Sequence, residues 1–293
     1  MPSVVGLDEV VEVRAATAAF AGLDNRYGGG FVREAVTAQL RYCAELLGAR
    51  CSEPVRAELF SSVGYLGQVA GFMAFDDYAH DDARRMFHFA LSCAEDVEDW
   101  HLRATVLNFL AAQAIWCGDS DEALTFVELA LVRAGRLTAT ERAMLHTTCA
   151  HALAKLGRVQ EAMAAVGVAD EEFSHAHPEG DPMWMRGHYD PARHCGGTGR
   201  ALWHLGVHDE FVSEVRNRLE VAVAGHGEGF VRARARGQIK LASLVMATSD
   251  PYEAAALGGQ ALDAMGTLCS RRAADDLREL RRLGQPHQGL TEV

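Results

Sequence analysis

Apolar residues recur along most of this chain with helical spacing, and one frame repeats. Residues 118–131 open on the turn Gly118-Asp119, continue through acidic residues, and then set Ala123, Val127, Ala130 and Leu131 on one helical face. The same frame reads Ala83, Phe87, Ala90 and Leu91 after Asp81-Asp82, and Ala254, Gly258, Ala261 and Leu262 after Asp250-Pro251. A weaker copy runs through Ala162, Val166 and Ala169, and a degenerate one begins at Phe211. Small residues at the first and third positions let such a helix approach a partner closely, while the larger residue between them fills the groove.

The pattern predicts helices over 7–21, 31–47, 54–75, 80–96, 99–117, 119–134, 139–156, 158–172, 197–205, 209–224, 227–247, 252–267 and 270–283. The repeated frame is the second helix of a tetratricopeptide-like hairpin. The expected fold is therefore all-α, a tetratricopeptide-like helical-repeat solenoid in which antiparallel helix pairs stack into a right-handed superhelix. Taking Ala83, Ala123, Ala162, Phe211 and Ala254 as equivalent, the intervals are 40, 39, 49 and 43 residues. These exceed the roughly 34 residues of the standard repeat, so the helices are long.

The longest interval holds an insertion, residues 173–195. Its prolines and glycines break helix, yet Met183, Trp184 and Met185 are too apolar for a free linker, so it is expected to fold back onto the repeats. The plan is an N-terminal helix and glycine-rich joint (1–30, ending Gly28-Gly29-Gly30), the repeats (31–284) and a frayed tail (285–293). The last helix is polar on most of its surface, as the terminal cap of a solenoid is.

Composition narrows the function. The chain has 293 residues, 28 basic and 40 acidic, for a net charge of −12, which disfavours direct contact with nucleic acid. The one basic cluster, Arg232, Arg234, Arg236 and Lys240, reads as a solvated helix face or a set of internal ion pairs. Seven cysteines without a CxxC pair read as small buried hydrophobes in a reducing compartment. There is no signal pattern and no apolar run of spanning length, so a cytoplasmic protein off the membrane is expected.

Candidate chemistry is sparse. His175, His177, His188, His194, Cys195, His204 and His208 cluster in sequence, but without a zinc-binding motif. Gly196-Gly197-Thr198-Gly199 resembles a phosphate-cradling turn, yet no Walker lysine and no preceding strand support it, and a loop allowing Trp203 to pack closely is the alternative. Tyr189, Asp190, Arg193 and His194 just before it are polar enough to line a pocket. Asn108, Gln113 and Gln68 lie within apolar first helices, where they either satisfy buried backbone groups or meet a ligand. No nucleophile elbow or fixed-spacing triad appears.

Several blocks together resemble the C-terminal tetratricopeptide-like sensor regions of actinobacterial helix-turn-helix (XRE-type) transcriptional regulators. They are Leu23-Asp-Asn-Arg-Tyr-Gly-Gly-Gly30, Ala70-Gly-Phe-Met-Ala-Phe-Asp76, His188-Tyr-Asp-Pro-Ala-Arg-His194 leading to Gly197-Thr-Gly199-Arg-Ala-Leu202, Ala222-Val-Ala-Gly-His226, Lys240 to Thr248 and Ser270 to Leu280. The resemblance implies a domain that senses a signal or dimerises, in regulators of development and secondary metabolism. It also implies an upstream DNA-binding domain, for which residues 1–22 are too short.

The leading expectation is a sensor or adaptor that holds a peptide, protein or small ligand in its concave groove, needs no cofactor, and self-associates as a homodimer. Asn108, His146, Trp184, His188, Tyr189, His194 and Arg236 are the candidate ligand contacts, and Arg26 and Tyr27 form the N-terminal joint to an upstream domain. One alternative is a biosynthetic enzyme on the same scaffold, using His188, His194 and His204 as acid–base groups or metal ligands. Another is a passive assembly scaffold.

Overall fold

The computed structural model describes residues 2–186, 188–207, 211–287 and 289. These residues form an all-α structure of thirteen α-helices. They are α1 (Leu7–Tyr27), α2 (Arg33–Leu46), α3 (Glu53–Asp76), α4 (His80–Asp96), α5 (Trp100–Cys117), α6 (Ser120–Leu131), α7 (Ala139–Lys155), α8 (Val159–Ser174), α9 (Pro191–Gly206), α10 (Val212–Gly225), α11 (Val231–Thr248), α12 (Pro251–Met265) and α13 (Arg271–Gly284). Among the described residues no helix is long and apolar enough to cross a membrane.

Side-chain caps set many of the starts. Asp99, Asp119, Thr138, Asp190, Asp250 and Ser270 each accept a hydrogen bond from a backbone amide two or three residues on, satisfying a donor that the first helical turn leaves free. Thr138 is answered by Glu141, whose carboxylate accepts from the Thr138 amide at 2.8 Å.

Turns of two to five residues join α3 to α4, α5 to α6, α7 to α8, α9 to α10 and α11 to α12, which makes each pair antiparallel. The small-residue ladder lies inside each pair. Ala83, Phe87, Ala90, Ala123, Val127, Ala130, Ala162, Val166, Ala169, Ala254 and Ala261 are all buried. In α10 the ladder is Val215, Leu219 and Ala222, all fully buried, one turn beyond the Phe211 frame. Counted from Val215, the step to Ala254 is 39 residues, matching the first two, and the insertion accounts for the whole of the irregular interval.

Three expected boundaries differ. Helix α1 runs through Gly22 to Tyr27, because a mid-helix glycine costs only about 1 kcal/mol and Asp24 is buried one turn later. Helix α9 starts at Pro191, so Gly196-Gly197-Thr198-Gly199 is helix interior rather than a loop or a phosphate turn. Its glycines serve close approach: a Cβ at Gly196 would sit 3.2 Å from that of Ala222, and one at Gly199 3.2 Å from Leu219. Only 175–190 of the insertion lies outside the long helices. Of the expected tail, Gln285–His287 form a short 3-10 turn, and Gln288 and residues 290–293 fall outside the described residues.

The two ends of the repeat meet. The Cys269 amide donates to the Tyr27 carbonyl at 2.7 Å and the Gly30 amide to the Cys269 carbonyl at 3.0 Å. Gly28 has φ +86°, and a Cβ there would lie 2.6 Å from the Cys269 carbonyl oxygen, so glycine is required on both counts. Helix α13 is accordingly no solvent-facing cap. Arg272, Ala273 and Asp276 are buried, and Arg272 Nε donates to Asp76 of α3 at 2.9 Å.

Candidate functional site

The first helices of the pairs, α3, α5, α7, α9 and α11, converge with α13 around a cavity of about 830 Å3. Small-molecule sites occupy roughly 300–1,000 Å3. Part of the wall is apolar: Phe72 and Phe75 from α3, Phe109, Ile115 and Trp116 from α5, and Met144 from α7. The rest is cationic. Ten lining residues are lysine or arginine and three are aspartate or glutamate, inside a chain that is acidic as a whole.

Most cations on the α11 and α13 side are matched. Arg236 Nε donates to Asp276 at 2.7 Å, and Lys240 lies 3.3 Å from the same carboxylate and also bonds Glu279. Arg232 binds Asp24 with both nitrogens and Arg272 binds Asp76. Burial alone would raise the Asp76 carboxyl, but Arg232, Arg272 and the Gly29 amide hold it well below the usual carboxylate range. The basic cluster of α11 is thus internally paired at Arg232, Arg236 and Lys240 and is not a solvated face.

On the α9 and α7 side the balance fails. Arg193 and Arg200 line the cavity, and no carboxylate of the described residues lies within 4 Å of either. Burial, then Arg236 and Arg193, push Arg200 down to about 9; burial and Arg232 lower Arg193. The histidines respond alike. His204 is pushed down to about 3 by burial and by Lys155 and Lys240, and His226 to about 4 by burial and Arg193. His151 stacks near His204, ring centroids 6.3 Å apart, and burial and that neighbour hold it well below its ordinary value. Lys155 is lowered by burial and Lys240. In each case burial is the larger cause and neighbouring positive charge adds to it.

The expected contacts distribute over several places. Asn108, Tyr189 and Arg236 line the large cavity. Asn108 Oδ1 accepts from the Thr148 hydroxyl at 2.6 Å, whereas Gln113 donates to the His80 carbonyl at 2.8 Å. Trp184, His188, Tyr189 and Gln68 line a smaller adjoining cavity of about 90 Å3, which shares Phe72, Phe109, Met144, Arg193 and Arg232 with the first. The insertion seats Trp184 there: its Nε1 donates to Thr105 at 3.2 Å, and its ring lies 5.3 Å from that of Tyr65. His188 packs edge-on against Phe230.

His194 lies behind Tyr189. Its Nε2 is 2.7 Å from Asp170, its Nδ1 3.2 Å from the Tyr189 hydroxyl, and its ring stacks on Phe173. Arg218 holds Asp170 through two hydrogen bonds of 3.0 and 2.7 Å. Burial pushes the Tyr189 phenol above its ordinary value, so this chain of bonds holds a neutral hydroxyl between Thr147 and His194. His146 lines neither cavity. Arg26 and Tyr27 sit at the seam with residue 269, the Arg26 guanidinium 5.5 Å from the Tyr27 ring.

His188, His194 and His204 are not brought together, and His208 lies outside the described residues. Among the described residues no group of three His, Cys, Asp or Glu side chains converges as a metal site would require. Arg200, His151, Lys155 and Arg272 are among the cavity-lining residues that the sequence did not single out as ligand contacts. Arg200 carried a signal: it follows Arg193 by seven residues, two helical turns, once 196–199 is read as helix. No protein family, curated protein or solved structure matches this chain.

Proposed function

We propose that this chain is a ligand-sensing regulatory module of the kind that forms the C-terminal region of actinobacterial XRE-type regulators, and that its ligand sits in the cavity ringed by the inner helices. One observation carries the reading: helices from the first quarter to the end of the chain converge on a single volume of about 830 Å3. A ligand there touches α3, α5, α7, α9, α11 and α13 together, so its affinity differs between a closed and an opened ring. That difference shifts the population toward the closed form.

The module works in a reducing cytoplasm, a setting that suits its seven free cysteines, and as a homodimer, without contacting nucleic acid itself. A thermal-melt titration against a metabolite panel tests the reading. A ligand at a hundredfold excess over its dissociation constant stabilises by about 2.7 kcal/mol and raises the midpoint. A panel that leaves the midpoint unmoved, together with a stoichiometric protein partner bound outside the cavity, selects the passive scaffold instead.

A further inference from the structure

Resting on that reading, we propose that the ligand is a small molecule with a flat apolar ring system and an oxyanion group, phosphate or carboxylate, held by Arg193 and Arg200 of α9. The two arginines share one face of the helix, separated by two turns, about 10 Å of rise. Gly197 lies between them on the cavity wall, and a Cβ there would come within 2.9 Å of Thr147 Cγ2. Gly197 itself adds no side chain between them.

The contrast with their neighbours is the core of the argument. Arg232, Arg236, Lys240 and Arg272 line the same cavity, and each has a carboxylate partner. Arg193 and Arg200 have none within 4 Å among the described residues, and neither side chain makes a hydrogen bond there. Two guanidiniums enclosed without counter-charge destabilise the ligand-free chain, and their unspent donors match the planar, two-point geometry of a carboxylate or phosphate.

The surroundings fit the rest of such a molecule. Arg278, Arg281 and Arg282 are exposed where they line the cavity, a cationic approach that draws anions inward from an otherwise acidic surface. Phe109, Ile115 and Met144 offer an uncharged wall to a ring.

The test uses the full chain and three probes of one shape: 1-naphthyl phosphate, 1-naphthoate and neutral 1-naphthol, titrated by calorimetry. One or both anions are expected to bind at least about tenfold tighter than naphthol, the increment of a charge-assisted hydrogen bond, and their order separates phosphate from carboxylate. Arg193→Gln and Arg200→Gln each remove that advantage, so that anion and naphthol affinities in the same variant converge. Arg200→Lys, which keeps the charge without the fork, falls between. Arg200→Gln also raises the thermal midpoint of the free protein, the opposite of what a merely structural arginine would do. Naphthol binding as tightly as the anions, or variants that bind anions like the wild type, overturns the oxyanion proposal while leaving a cavity that binds ligands. An Arg200→Gln protein that melts lower also overturns it. Failure of all three probes to bind overturns the ring-and-oxyanion proposal, while the sensor reading is decided separately by the metabolite panel.

Discussion

Arg232 of α11 presents both guanidinium nitrogens to both carboxylate oxygens of Asp24 in α1, with Asp76 of α3 at 3.5 Å completing the cluster. All three residues are buried, so this is the polar clasp between the beginning and the end of the ring. A buried pair contributes little over an apolar substitute, but breaking it from one side strands a charge.

Arg232→Gln is therefore expected to destabilise by about 3–5 kcal/mol, leaving Asp24 without its cation. Urea unfolding measures the loss. Hydrogen exchange is expected to rise first at the Gly30 and Cys269 amides, which hold the seam.

Stability falls on acidification well before carboxylates protonate. Unfolded, histidine titrates near 6.5. Folded, His204 and His226 are pushed down to about 3 and about 4, and His151 lies well below its ordinary value. The native chain then binds fewer protons than the unfolded one, so stability is complete above about 6.5 and declines as pH drops toward 4. His101, raised by its bond to Glu141, works in the opposite sense: its contribution is present below 6.5 and lost as pH rises through its folded value. A lower melting midpoint at pH 5 than at pH 7.5 is expected. His204→Gln should recover part of it, at up to about 1.4 kcal/mol per pH unit for that one group.

The same histidines link pH to ligand affinity. A carboxylate in the cavity stabilises their protonated forms, and folded values of about 3 and about 4 put that effect below pH 6, so 1-naphthoate is expected to bind more tightly at pH 5 than at pH 7. Calorimetry in two buffers of different ionisation heat should register proton uptake on binding.

Within the pairs, close approach is the vulnerable point. A Cβ at Gly71 would fall 2.7 Å from ring carbons of the fully buried Phe87, with no flexible chain end to yield. Gly71→Ala is expected to cost about 1–3 kcal/mol despite the better helix propensity of alanine, measured as a shift in the denaturation midpoint.

Trp184 tests the insertion. Its ring rests on Tyr65 and its indole N–H on Thr105. Trp184→Ala is expected to release residues 175–190 to limited proteolysis while the far-ultraviolet helix signal stays within a few per cent of wild type.

Much of the fold was legible because the ladder obeys a local rule: Ala83, Phe87 and Ala90 share a face at helical spacing and face a partner across a short turn. The cavity was less so. Tyr189 and Arg193 could be picked out as polar residues beside an apolar insertion, but Arg200, in the predicted helix 197–205, was cut off from them by glycines 196–199, which read as a loop. Those glycines face Leu219 and Ala222, twenty or more residues downstream, and the reason for them exists only in the packed structure. Ring closure was illegible for the same reason. Nothing near Asp24 in the sequence announces Arg232.

That clasp spans 208 residues of chain. During synthesis at about 5–20 residues per second, α1 leaves the ribosome some ten to forty seconds before its partner helix is made. Until then the carboxylate of Asp24 stays hydrated, while Val10 and Val13 of the same helix already have their apolar partners in Leu59 and Val63 of α3. The last fifth of the chain is thus the step that commits the whole to one topology.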